Sequence, residues 1–372
     1  MKSIKIIDDC LVCGLGVGHQ EVLSHLKSQE TAITYNKNWD TSISLIPNSW
    51  NEWVAKHSLP HNFTPLQKKL ASFIIYWKTQ SEILKKMISN PENIQIFWSS
   101  TKGGIGDDIY ELSKFLFPIG AYFGIPSKHQ SIISTACVSG VLAMEEAAQY
   151  LHNSKDINYA IVIGVDFISD FIVDGFQSFK ALSLDVCKPF HKNRVGLNLG
   201  EAMAGMLLTN DPHAKAYANY LGGHSSNDAN HLSGPSRTGQ ELAHAIRHAY
   251  TNYDASEIDF ILAHGTATLY NDEMETKAFE VSGLGNHPIW APKYYLGHTL
   301  GASGLIETLI AILLLRSGLT LSHPYFEDNS QIIGAKEIFN LEEKISSSYK
   351  FIKTAAGFGG CNAAALIEVL IE

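Results

Sequence analysis

Cys137, His264 and His298 are the residues whose types and settings could do covalent chemistry. Cys137 stands between an apolar run, Gln130 to Ser134, and a helical pattern, Val141-Leu-Ala-Met-Glu-Glu-Ala-Ala-Gln-Tyr150, with small residues around it. A thiol at such a junction meets the unpaired N–H groups and the positive end of a helix, which favour the nucleophilic thiolate. The other reading is a small cysteine buried behind a tight turn. His264, in His264-Gly-Thr-Ala-Thr268, directly follows the apolar run Ile258 to Ala263, so it falls at a strand's C-terminal end, where open α/β sheets place their sites. His298, in Gly297-His298-Thr-Leu-Gly-Ala-Ser-Gly304, opens a long apolar helix among small residues that permit close backbone approach. One histidine in a glycine-rich turn is ordinarily structural. Two at element termini, with a cysteine at a third, point to nucleophilic catalysis.

The elements that must position them alternate. Strands are expected at residues 4–14, 94–99, 130–134 and 159–166, then at 202–208 and 214–222. Helices are expected from Thr64, with Thr64 as N-cap and Pro65 at the first helical position, at Asp107 to Phe117, and after Cys137. The second half repeats the grammar: helix at Arg237 to Tyr250, strand at Ile258 to Ala263, helices at Asp272 to Glu280 and Gly301 to Arg316, strands at Tyr349 to Ala355 and Ala363 to Leu370. This is a duplicated α/β architecture of layered sheets and helices, divided as 1–222 with the cysteine and 223–372 with both histidines. Residues 30–62 carry no usable motif.

At 372 residues, with 45% hydrophobic and 17% charged content, the chain can bury a large core. A net charge of -9 excludes a broad basic face for nucleic acid but not a local basic patch. Five cysteines without regular spacing make no disulfide framework, and the N-terminus lacks the apolar core of a signal peptide, so a cytoplasmic location is expected. The longest apolar run, Leu305 to Leu319, is broken by Glu307 and Arg316 and is too short to span a bilayer. Gly14-Leu-Gly16 lacks the rest of a dinucleotide fingerprint. Cys10 and Cys13 lie in an apolar strand without a second ligand pair, so no metal is expected there.

Taken together, Thr135-Ala-Cys137-Val-Ser-Gly, Ala263-His264-Gly-Thr-Ala-Thr268, Lys293-x4-His298-Thr-Leu-Gly-Ala-Ser-Gly and Gly357-Phe358-Gly-Gly-Cys-Asn362-Ala resemble, in this order, the signature of β-ketoacyl-[acyl carrier protein] synthases, the elongating Cys-His-His type of the thiolase superfamily. Lys188-Pro-Phe-His-Lys-Asn-Arg194-Val-Gly and Asn271-Asp272-x-x-Glu275 add to it, and with Gly14-Leu-Gly16 the likeness covers essentially the whole chain. The resemblance implies a thiolase-like fold, a five-layered αβαβα sandwich of two similar halves, and a dimer, either of like chains or with a related ketosynthase-like chain.

It also implies roles. Cys137 takes the acyl group from a thioester, and the backbone N–H groups of Cys137 and Phe358 stabilise the oxyanion, with Phe358 as a gate. His264 and His298, as neutral donors, hold the malonyl thioester carbonyl while CO2 leaves and the enolate attacks the acyl-Cys. Lys293 and Glu307 match an ion pair near the site, and Thr266 and Thr268 match hydroxyls that contact pantetheine. Asp272 and Glu275 are better read as organising the turn after His264. The partner is an acidic acyl carrier protein bearing the phosphopantetheine, so the chain itself needs no cofactor; Lys68, Lys69 and Lys180 match docking positions.

The pattern departs at Ala267 and Ala202, which stand for glycines, and at His191, which stands for Asp. The segment between Gly104 and Ser131 is short, so acyl length does not carry over. Asn198-Leu-Gly-Glu201 and the run from His264 to Glu275 resemble synthases of aryl polyene and flexirubin-type pathways. A non-catalytic chain-length-factor-like subunit would have lost the nucleophile. A degradative thiolase would pair its cysteine with one His and a C-terminal Cys, a place Cys361 could take.

Overall fold

The computed structural model describes residues 3–320, 323–326, 331–333 and 346–371. Its strands are β1 (Ile4–Cys13), β2 (Gly16–Val17), β3 (Thr34–Asn36), β4 (Thr41–Ser44), β5 (Ile94–Ser99), β6 (Gln130–Ile133), β7 (Tyr159–Asp166), β8 (Leu199–Gly200), β9 (Ala202–Thr209), β10 (Ala218–Asn227), β11 (Phe260–Leu262), β12 (Ile289–Trp290), β13 (Ser348–Gly357) and β14 (Cys361–Leu370). The α-helices are α1 (Gly18–Ser28), α2 (Asn48–Ala55), α3 (Pro65–Gln80), α4 (Glu82–Ile88), α5 (Leu112–Tyr122), α6 (Ser139–Asn153), α7 (Asp170–Ser178), α8 (Gln240–Ala249), α9 (Leu269–Ser282), α10 (Lys293–Leu296) and α11 (Ser303–Arg316).

The duplication expected from the alternating elements is present in the pairing. In the order β6-β5-β7-β9-β1 the first three strands are mutually parallel and the last two antiparallel. The order β12-β11-β13-β14-β10 repeats that scheme. β1 and β10 join the two through Ile4–Tyr220, Lys5–Asn219 and Ile6–Ala218. The expected boundary after residue 222 falls inside β10, which pairs with β14 and so belongs with the second set. Each sheet buries both faces by the period of two. Along β1, Ile6, Leu11 and Cys13 enter the central core while Ile7, Cys10 and Val12 enter the core under α3, α4 and α5. Along β14, Ala363, Ala365 and Ile367 face the centre while Ala364 and Leu366 face α8 and α9. α6 and α11 fill the central core. The layer order is therefore helix, sheet, helix, sheet, helix.

The two central helices touch backbone to backbone. A Cβ on Gly140 would lie 2.8 Å from the Leu305 nitrogen, and one on Gly304 would lie 2.8 Å from the Val141 nitrogen. Only glycine permits that approach. It sets the start of α6, with Cys137, beside the start of α11, with His298.

Thr64 caps α3 as expected, in a capping box with Gln67. The helix expected at Asp107 to Phe117 lies later, at Leu112–Tyr122, and runs through Pro118. Proline cannot donate to the carbonyl four residues back, which would leave Lys114 short of a partner. Gln67 Nε2 donates to the carbonyls of Lys114 (3.2 Å) and Phe115 (3.0 Å), so a residue of α3 supplies what Pro118 cannot. Expecting the helix to end before the proline ignored that neighbour.

Candidate active site

Cys137 is buried and sits one residue ahead of Val138, the cap of α6. The turn is held by Ser139, whose hydroxyl accepts from the Thr135 amide (2.8 Å) and donates to the Ala136 carbonyl (2.6 Å). Ala136 has a φ of 45°, a left-handed conformation that costs an L-residue about 1–2 kcal/mol. The expectation that the helix start favours a thiolate is not met. Burial pushes the thiol up to about 11, against the downward pull of Lys102 and Lys293. The sulfur is largely removed from water, whereas the lysine charges act at a distance, and so desolvation wins. Alkylation of Cys137 by iodoacetamide should therefore rise about tenfold per pH unit from about pH 7 to 9. A plateau near pH 7, read by peptide mass spectrometry at Cys137, would show a preformed thiolate instead.

His264 and His298 come together as expected from their motifs, with ring centroids 5.1 Å apart and planes at 83°. His298 is held by the strand before Glu201: its amide donates to the Asn198 carbonyl (2.7 Å) and its own carbonyl accepts from Gly200 (3.0 Å). His264 is held by Glu275, which accepts from the amides of His264 (2.8 Å) and Gly265 (2.7 Å), and by Thr354, whose hydroxyl accepts from the His264 amide (3.1 Å). Burial holds both imidazoles well below their ordinary protonation range, and the charges of Lys293 and Lys353 push the same way. Both are neutral. Lys293 Nζ, a donor only, lies 3.4 Å from His264 Nδ1, so Nδ1 accepts and the proton sits on Nε2. His264 thus offers an N–H donor. His298 Nδ1 is buried and has no partner among the described residues.

Lys293 also donates to the His264 carbonyl (2.5 Å) and to Glu307 Oε1 (2.6 Å), the pair expected from the resemblance. A second lysine, Lys353 on β13, was not anticipated. It donates to Glu307 Oε2 (2.5 Å) and to the Ala263 carbonyl (3.3 Å). All three side chains are fully buried. Burial alone would push the Glu307 carboxyl up, but the two ammonium groups hold it below the usual range. Burial and repulsion from Lys293 lower Lys353, partly offset by Glu307. Glu307→Gln would leave two buried cations without their counter-ion, and urea unfolding should show a loss of about 3–5 kcal/mol. Lys353→Met keeps the Lys293–Glu307 pair and should cost less than about 2 kcal/mol. Equal losses would mean that the two lysines are not held by one carboxylate.

Cys137, His264 and His298 line one cavity of about 340 Å³, with Thr266, Thr268, Phe358 and Lys180. The hydroxyls of Thr266 and Thr268 are 2.9 Å apart. Phe358 stacks on Phe176 (5.6 Å, 24°) and meets Phe179 edge-on (5.4 Å). The neighbouring Gly357 leaves no room: a Cβ there would stand 3.0 Å from the Cys137 nitrogen. Lys180 is exposed at the cavity. Lys68 and Lys69 lie on α3, half-buried and off the cavity lining, with Lys69 Nζ 5.7 Å from the Phe167 ring. Asp272 accepts from the amides of Phe190 (2.8 Å) and Thr266 (3.1 Å), so it and Glu275 tie the turn after His264. Asp166 also went unnoticed in the sequence. It accepts from Thr101 (3.0 Å) and from the Gly301 amide (2.7 Å), which fixes the turn between His298 and α11. Its only sequence signal is an acid ending an apolar strand.

Two family models cover more than half of the chain: "Beta-ketoacyl synthase, N-terminal domain" at residues 129–214 and "Beta-ketoacyl synthase, C-terminal domain" at residues 217–326. The chain belongs to the β-ketoacyl synthase family. It is 32% identical over 198 residues to 3-oxoacyl-[acyl-carrier-protein] synthase 2 of Mycobacterium leprae strain TN, covering 49% of this chain and 47% of that protein. It is 29% identical to the tetracenomycin polyketide synthase ketoacyl synthase alpha subunit of Streptomyces glaucescens, covering 64% and 59%. The chain thus spans about half to three fifths of the length of these curated relatives. Its fold is like that in the structure of the ketosynthase ApeO in complex with its chain length factor ApeC from Xenorhabdus doucetiae, with a TM-score of 0.80, 24% identity and coverage of 99% and 98%. The thiolase-like fold expected from the motifs is the one present.

Departures from the β-ketoacyl synthase pattern have local accounts. Ala267 has a φ of 58°, which explains the glycine common at this place; here the methyl packs in a small core with Ile33 and Cys187. Ala202 lies in β9 with ordinary strand pairing, so a methyl is tolerated. His191 is buried and stacks on Phe326 (5.6 Å, 23°), with Nδ1 accepting from the Asn193 amide (3.0 Å). Cys361 does not line the cavity, although its neighbours Gly360 and Asn362 do.

Proposed function

We propose that the chain is a 3-oxoacyl-[acyl carrier protein] synthase that takes an acyl group onto Cys137, releases CO2 from a malonyl-carrier and joins the two by Claisen condensation. The observation that carries this reading is the meeting of one thiol and two neutral imidazoles in one cavity, with His264 Nε2–H free to donate. The thiol at about 11 gives up its proton as the sulfur attacks the thioester carbonyl, the amides of Cys137 and Phe358 receive the oxyanion, and that proton ends on the carrier sulfur when the carbon–sulfur bond to it breaks. The carrier thiol then leaves. On the malonyl side, the carboxylate departs as CO2 and its electron pair forms the enolate, which the two histidines hold. Each such donor is worth about 3 kcal/mol. The enolate carbon attacks the acyl-Cys carbonyl, and the Cys137 sulfur leaves. Lys293 and Glu307 position His264 in this scheme, and Thr266 and Thr268 hold the pantetheine.

The presence of Cys137 speaks against a non-catalytic subunit, and the position of Cys361 off the cavity lining speaks against a degradative thiolase. The partner in this reading is an acyl carrier protein, docked at Lys180 and, farther off, Lys68 and Lys69. The likeness to a ketosynthase solved with a chain length factor supports a dimer, with a like or a related chain; the aryl polyene type of pathway rests on the motifs at Asn198–Glu201 and His264–Glu275. No helix among the described residues is long and apolar enough to cross a membrane, and we place the chain in the cytoplasm. The test is reconstitution with malonyl-carrier and a panel of acyl-carriers. Mass gain on Cys137, labelled CO2 and a 3-oxoacyl product are expected together; absence of all three with every acyl donor would sink the reading.

A further inference from the structure

His224 on β10 and His244 and His248 on α8 bring three imidazoles to one patch, and none of them lines the cavity. One ring nitrogen of each lies within 4.8 Å of the others. His244 and His248 are four residues apart, one helical turn, which sets both rings on one face of α8. Their centroids are 4.0 Å apart. The strand supplies the third ring, stacked on His248 at 4.6 Å and 27° and 5.3 Å from His244. Its position is fixed because α8 is tied to β10: Ser226 Oγ donates to the Glu241 carbonyl (2.7 Å), and Gly222 lets the Ala249 carbonyl come close.

The tautomer of one ring is set. His248 Nδ1 lies 2.8 Å from the His244 carbonyl and must donate to it, which leaves the Nε2 lone pair free. Metal-ligating histidines are held in this way, by a hydrogen bond on the nitrogen that does not ligate. Glu145, which accepts from Tyr220 and from Gln149 (2.6 Å), lies against Gly223, the residue before His224. His224 is half-buried and the other two are exposed, so an ion can enter from solvent.

We propose that His224, His244 and His248 form a surface site for a borderline divalent metal ion, Zn2+, bound by three neutral imidazoles with a fourth position open to water. Three nitrogen donors with no carboxylate or carbonyl among them suit Zn2+, Cu2+ or Ni2+ rather than Mg2+ or Ca2+. Tetrahedral Zn–N bonds of about 2.0–2.1 Å need the nitrogens about 3.4 Å apart, so binding must turn the stacked rings until their lone pairs converge on the ion. The ion would clip α8 to β10 and stabilise the outer layer of the second half.

The experiment is calorimetric titration of the full-length, tag-free chain with ZnCl2, together with thermal unfolding with and without the ion and Co2+ substitution. Wild type should bind about one Zn2+ per chain at micromolar concentration and gain several degrees of unfolding temperature. His244→Ala and His248→Ala should each weaken binding about 100-fold and remove the thermal gain, whereas His231→Ala, on an exposed loop, should change nothing. Co2+ should give the strong visible absorption of a four-coordinate ion in wild type alone. No uptake by wild type at about 10 μM Zn2+, or binding by His248→Ala as tight as by wild type, would overturn the site.

Discussion

Cys137→Ala is expected to abolish mass gain from every acyl-carrier and to lower condensation by at least about 10⁴-fold, while CO2 release from malonyl-carrier continues. The split follows from the site. In the proposed scheme the sulfur accepts the acyl group; among the described residues lining the cavity, His264 turns Nδ1 to Lys293 and Lys180 is exposed, so neither stands in for it. In the same scheme the two histidines hold the enolate, a step that needs no thiol. Cys137 is nearly fully buried at 7% exposure and its replacement by alanine removes one atom from the side chain, so the fold should survive. Intact mass and labelled CO2 read the two halves separately. A variant that elongated acyl chains at the wild-type rate would overturn the mechanism.

His298→Ala should give the opposite pattern. CO2 release is expected to fall by about 10²–10³-fold, the loss typical of one oxyanion donor, while acyl transfer to Cys137 remains largely intact. The neutral state of His298 matters here. Burial and the nearby charges of Lys293, Lys102 and Lys353 keep the ring uncharged, so the CO2-releasing step should not be lost through histidine protonation as pH falls from about 8 to 6. A titration with a midpoint near 6.5 in that step, present in wild type and absent in His298→Ala, would show an imidazolium and contradict the assignment. Loss of acyl transfer with CO2 release preserved would exchange the roles of the two halves.

Much of this was readable before any fold was known, for particular reasons. Thr64-Pro65 announced α3 because capping is local chemistry. The strands of both halves announced themselves by apolar runs, Cys137 and His264 by falling just after such runs, and His298 by opening the long apolar helix. Short strands such as β3, β4 and β8 were missed, since two to four residues carry no period. The start of α9 was expected at Asp272 but lies at Leu269, where Arg194 from a distant loop donates to the Leu269 carbonyl (2.8 Å). Lys353 is the second of two lysines in β13 and stands among residues that enter the core, and a buried lysine demands a counter-ion. That signal was present in the sequence and went unused. His244-x3-His248 was another, invisible as a cluster until β10 brought His224 alongside.

From the sequence alone came the identity and order of the candidate reacting groups, the alternation that builds two similar halves, and the family. The tertiary structure decided which nitrogen of His264 carries the proton, that one carboxylate holds two lysines, and that burial raises the Cys137 thiol where a helix start suggested the reverse. Residue types and local periods are written along the chain. Protonation depends on how much water and which charges surround a group, and for residues as far apart as Cys137, His264, Glu307 and Lys353 only the packing of the two halves sets those surroundings.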